Sequence, residues 1–220
     1  MIWVGPACPE WIYEKGVPLV ITDRKVNALG QKTDAQKKYP YYLHPEYKKR
    51  FMGLIDAFGK YVTALPSELR ERIVFVQCAE GSTGDGQPYK GDPLDQKYAI
   101  SYEVWNDFRR EAWQNYRQAV PGIPILVNSD ANDTVESQWL LENMDVIALK
   151  QGMFSHGYIV SDNGKRLAQH EALAVEAKKR GKPVLTRGEM DGELFDMPRS
   201  NRNLPPPLYW PGIFATHCRF

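Results

Sequence analysis

Cysteine is scarce in this chain of 220 residues: Cys8, Cys78 and Cys218 are the only three, and none stands in a CxxC or Cys/His spacing. An odd, scattered set excludes a disulfide framework or a thiolate zinc centre as the organising device. The four histidines, at 44, 156, 170 and 217, form no HxH or HExxH pattern, which removes the usual signatures of metal-dependent hydrolases. No run approaches the roughly 18 apolar residues needed to span a membrane. Met1 to Pro6 has neither the basic start nor the apolar stretch of a signal peptide. A charge excess is lacking too. With 28 Lys+Arg against 27 Asp+Glu, charge offers nothing to a nucleic acid or an anionic membrane surface. There is no GxGxxG or GxxxxGK[ST] phosphate loop, no internal repeat and no linker. The expectation is a single domain over 1–220 that works without a metal or organic cofactor.

What is present is alternation. Val17 to Thr22 is a short apolar run ending at Asp23. His44-Pro45 opens a helix whose apolar positions Phe51, Leu54, Ile55, Phe58 and Val62 repeat at a helical period. Ile73 to Glu80 reads as a strand, followed by a long loop to Pro93. Ser101 starts a second helix, with Val104, Trp105, Phe108, Trp113 and Tyr116 near one face, and Pro121-Gly122 stops it. Ile123 to Val127 reads as a strand ending in Asn128-Ser129-Asp130, and Asp133 with Glu136 fits a capping box for a short helix. Asp145 to Leu149 is the next strand. A helix from about Gly164 to Arg180 is closed by Gly181 at the preferred C-cap position. Pro183 to Glu189 and Pro211 to His217 complete the strand-like runs.

Strands near 73, 123, 145 and 183 with a helix in each gap imply parallel pairing and right-handed crossovers. Polar residues sit at several strand ends at once, which favours a (β/α)8 TIM barrel over an open doubly wound sheet. Six strand-like runs are visible where a barrel needs eight, so the chain reads as an incomplete barrel, about strands three to eight, a fragment with any export signal upstream of Met1. On that numbering Glu80 closes the fourth strand and Glu189 the seventh. Strand ends of a barrel converge on one mouth, and two carboxyls there suit acid and nucleophile work on a glycosidic bond.

Glu80 and Glu189 in those places, with the terminal run Tyr209-Trp210-Pro211-Gly212 through His217, resemble the clan of retaining (β/α)8-barrel glycoside hydrolases that contains β-galactosidases, β-agarases and β-porphyranases. The resemblance implies Glu80 as acid/base, Glu189 as nucleophile and a plant or algal saccharide as the substrate. It departs from the clan at Ala79, where an asparagine usually binds the sugar 2-hydroxyl, and Gln77 or Asn128 is the substitute. Asp85, in Gly81-Ser82-Thr83-Gly84-Asp85-Gly86, is the reserve acid.

The apolar run before Glu80 is a low-dielectric wall that would keep its carboxyl protonated. Arg187 is two residues before Glu189, on the same face of a strand, where it would hold the nucleophile ionised. Lys150, His156 and Trp210 complete the candidate saccharide contacts. Against these stand plainer roles: strand-end carboxylates are often solvated, and Trp105 and Trp113, at helical spacing, belong to a core. The 12% aromatic content suits sugar stacking, but aromatics more often fill interiors. Two other readings compete. Lys150 on the sixth strand would serve a Schiff-base aldolase, and a degenerate barrel would bind saccharide without turnover.

Overall fold

The computed structural model describes residues 2–3, 8–24, 37–81, 86–128, 135–151 and 171–188. They fall in two compact units, Met1–Ile125 and Leu126–Phe220, each with helices and parallel strand pairing.

In the first unit, β1 (Ile2–Trp3) lies parallel to β4 (Val76–Gln77), with Ile2 opposite Val76 and Trp3 opposite Gln77. The backbone N–H of Val76 also donates to the Pro124 carbonyl at 2.9 Å. Two strand expectations are corrected here. The run from Val17 to Thr22 is not a parallel sheet strand: β2 (Leu19–Ile21) pairs antiparallel with β3 (Lys38–Pro40) in a separate two-stranded sheet. The strand before Glu80 is shorter than 73–80, because Val74 is 53% exposed and only Val76–Gln77 joins the ladder. Among the described residues, one parallel strand still precedes the strand that leads to Glu80, but it is Ile2–Trp3.

Two long helices form the core of this unit. In α2 (Pro45–Thr63), Pro45 occupies the first turn, where its missing N–H costs nothing, and His44 is the extended cap. Tyr47, Phe51, Ile55 and Val62 turn inward, while Leu54 stays exposed. α4 (Tyr102–Ala119) starts where Ser101 Oγ accepts the Val104 N–H at 3.4 Å, and it buries Trp105, Phe108, Arg109, Ala112, Trp113 and Tyr116. The pair packs closely because Gly59 has no side chain. A Cβ there would lie 2.5 Å from the Ala119 carbonyl oxygen. The short helices α1 (Trp11–Glu14) and α3 (Ser67–Arg70) also belong to the unit.

The aromatic content goes mainly into this interior. Tyr42 stacks on Tyr89 and meets Tyr47 edge-on, while Trp105 and Phe51 both pack against Phe108. Each such side chain contributes roughly 1.5–3 kcal/mol by leaving water.

The second unit holds β5 (Ile125–Asn128, the division falling inside it), α5 (Val135–Asn143), β6 (Ile147–Gln151), α6 (helical over 171–179) and β7 (Val184–Gly188). β5, β6 and β7 are parallel neighbours in chain order. Gly181, at φ 68°, closes α6 as its place predicted, and the Lys182 N–H returns to the Ala177 carbonyl at 2.9 Å. Lys182 Nζ then donates to the Leu141 and Met144 carbonyls at 2.7 and 2.6 Å, placing a cation at the C-terminal end of α5.

Candidate active site

Val76 and Gln77 end the ladder of β4, and the chain runs on buried through Cys78, Ala79 and Glu80. Glu80 is 1% exposed, and its Oε1 accepts the indole N–H of Trp113 from the middle of α4. Its second oxygen is buried without a hydrogen-bond partner. Arg109, fully buried one helical turn before Trp113, has its guanidinium 4.7 Å from the Trp113 ring centroid, and its Nη1 donates to Asn106 Oδ1 at 3.3 Å.

Burial pushes the Glu80 carboxyl above its ordinary range. The Arg109 charge and hydrogen bonds from the Glu80 amide and Trp113 pull only partly the other way. Cys78, two residues earlier, is in the same surroundings, with its thiol pushed up by burial and by Glu80. In extended chain, residues two apart share a face. Cys78 and Glu80 therefore both turn toward α4. The protonated carboxyl expected from the sequence is favoured here, but it is directed into the strand–helix layer and away from solvent.

The loop after Glu80 is tied to the same helix at both ends. A Cβ on Gly81 would lie 2.3 Å from the Gln87 carbonyl oxygen and 2.8 Å from Trp105, so only glycine fits. Trp105 Nε1 donates to the Gly86 carbonyl at 2.7 Å. Trp105 and Trp113 are core residues, as their spacing implied, yet both also present an N–H to the chain following β4. That second role left no trace in the sequence, since a buried donor and a buried ring look alike in a helical pattern.

Farther along, the loop returns to the end of β2. Thr22 Oγ1 donates to the Lys90 carbonyl at 2.9 Å, and the Asp92 N–H donates to Asp23 Oδ1 at 2.8 Å. Gly91, at φ 86°, makes the turn between them.

In the second unit the strands become polar at one row. Leu126, Ala148 and Leu185 are register partners, as are Val127, Leu149 and Thr186. The next row is Asn128, Lys150 and Arg187, at the carboxyl edge of β5, β6 and β7. Gln77, the other saccharide candidate among the described residues, is 2% exposed beside β1. Asp85, His156, Glu189, Trp210, the capping residue Asp133 and the run 211–217 lie outside the described residues. Among the described residues, no three His, Cys, Asp or Glu side chains gather as a metal site, and no helix is long and apolar enough to cross a membrane.

The architecture is that of an α/β protein with parallel strands. No protein-family model, curated protein or solved structure matches the chain.

Proposed function

We propose that the chain is part of a retaining glycoside hydrolase acting on a β-linked plant or algal saccharide, on a (β/α)8 barrel of which about strands three to eight are present. The main support is the row Asn128, Lys150, Arg187, in register across three consecutive parallel strands at their carboxyl edge. That edge is where barrels and open α/β sheets gather ligands. Pairing of β5, β6 and β7 in chain order suits a singly wound barrel.

Glu189 follows Arg187 by two residues and is the proposed nucleophile. The acid/base is assigned to Asp85, because α4 already engages the Glu80 carboxyl away from solvent. Asp85 protonates the glycosidic oxygen as the Glu189 carboxylate attacks the anomeric carbon, and the aglycone leaves from a covalent glycosyl ester. Asp85, now ionised, takes a proton from water; that water breaks the ester, and the sugar departs with its configuration retained. Gln77, His156 and Trp210 are the remaining proposed saccharide contacts.

An aryl 2-deoxy-2-fluoro-β-galactoside and the matching glucoside test the nucleophile, since either traps a glycosyl ester. The expected result is one added sugar on the peptide that holds Glu189; no label with either, or label on another carboxyl, overturns the assignment. For the acid, Asp85→Asn should lose at least about a hundredfold in rate on unactivated glycosides, with azide restoring turnover of activated ones, whereas Glu80→Gln should stay within about threefold. The reverse pattern returns the acid role to Glu80.

The register also favours a second reading. Arg187 is the register partner of Lys150 on the neighbouring strand, a cationic neighbour of the kind that suits a Schiff-base lysine. Borohydride trapping of a keto-acid on Lys150 would select it over the hydrolase.

A further inference from the structure

The row that marks the carboxyl edge is unusual in charge. Lys150 and Arg187 are direct register partners on adjacent parallel strands, and Asn128 completes the row. Adjacent strands run about 4.8 Å apart, and like charges placed side by side across strands weaken a sheet. The preceding rows on the same strands are apolar apart from Thr186, so the two cationic positions are register partners only at the carboxyl edge, where α/β sheets gather ligands. A lysine and an arginine side by side, with an amide next to them, form a donor-rich set matched to an oxyanion, the arginine offering a planar fork and the lysine a point charge.

We propose that this row is a subsite for an anionic sugar, one bearing a carboxylate or a sulfate ester, with Lys150 and Arg187 taking the charged group and Asn128 a neighbouring hydroxyl. The inference rests on the saccharide reading above and narrows its substrate class. Asp130 and Glu189 each follow a member of the row by two residues in sequence, and they are the internal alternative for neutralising the cations.

Binding to the intact chain, followed by ligand-observed NMR at low salt, tests the subsite with galactose, galacturonate, galactose 6-sulfate and inorganic sulfate as probes. At least one anionic sugar is expected to bind about tenfold or more tighter than galactose, with the advantage reduced in 0.3 M NaCl, because one charge-assisted contact is worth at least that factor. Lys150→Gln and Arg187→Gln should each remove most of the advantage, while Arg187→Lys should keep part of it. Circular dichroism shows which variants fold, and the wild-type comparison stands without them.

Equal binding of galactose and both anionic sugars overturns the proposal. So does a preference that survives both Gln substitutions, or no binding of any sugar, which would leave the cations to Asp130 and Glu189. Inorganic sulfate binding as tightly as the sugar sulfate, with the same loss in the variants, would make the row a free-anion site and also overturn the sugar assignment. Labelling of Glu189 with no anionic preference would sink this inference and leave the hydrolase standing. An anionic preference with no labelling would do the opposite.

Discussion

The indole N–H of Trp113 donates to the carboxyl of Glu80, across 33 residues of sequence, inside the layer between the end of β4 and α4. The Arg109 guanidinium lies over the ring of the same indole, 4.7 Å from its centroid. A carboxyl, an aromatic donor and a guanidinium thus share one buried volume. Its energetics depend on whether the carboxyl carries charge.

The raised Glu80 pKa gives stability a definite pH dependence. A carboxyl whose folded pKa lies above its unfolded value contributes its full stability below the unfolded value and loses it as pH rises through the folded one. Glu80→Gln keeps an acceptor for Trp113 and removes the ionisation. Its melting temperature relative to wild type should therefore rise as pH is taken from 4.5 to 8. A flat difference across that range would mean that Arg109 fully offsets the burial.

Trp113→Phe keeps most of the ring and deletes the donor. The buried Glu80 oxygen that accepts it would lose its side-chain donor, at a cost of about 1–3 kcal/mol. Combining this change with Glu80→Leu should recover part of the loss, since an apolar pair leaves no stranded acceptor. Urea denaturation of the two single variants and the double variant measures the coupling, and strict additivity would show that the hydrogen bond adds nothing to stability.

Two glycines in α2 should respond oppositely to alanine. Gly53 has open space where a Cβ would go, so Gly53→Ala should stabilise by up to about 1 kcal/mol through helix propensity. A Cβ on Gly59 would meet the Ala119 carbonyl and methyl at 2.5 and 2.6 Å, so Gly59→Ala should destabilise by about 1–3 kcal/mol through overpacking. Thermal melts of both variants decide it; a stabilising Gly59→Ala would mean that α2 and α4 separate at little cost.

The parts legible in the sequence were those governed by local chemistry. Pro45, Ser101, Gly122 and Gly181 marked helix ends because each solves a backbone problem where it stands. The parallel runs at 125–128, 147–151 and 184–188 were visible as apolar stretches between helices. Pairing partners were less visible. Ile2–Trp3 is too short to carry a period, and Val17 to Thr22 looks like a sheet strand until Lys38–Pro40 is placed beside it. The side of Glu80 was hidden for a different reason. Val76, Gln77, Cys78 and Ala79 are all buried, so neither face of that stretch is marked by polarity, and only contact with Arg109 and Trp113 shows which face α4 covers.

The clamp from Thr22 and Asp23 to Lys90 and Asp92 closes a ring of 68 residues or more around β3, α2, α3 and β4. Each doubling of such a ring adds only about 0.6 kcal/mol of closure entropy, so its length weighs little on equilibrium stability. It weighs more on kinetics, because contacts distant in sequence form late. In the first unit, Gly59 of α2 packs against Ala119 of α4 across a comparable separation, so both closures are non-local. Folding speed there is thus expected to follow these distant closures more than the aromatic interior they enclose.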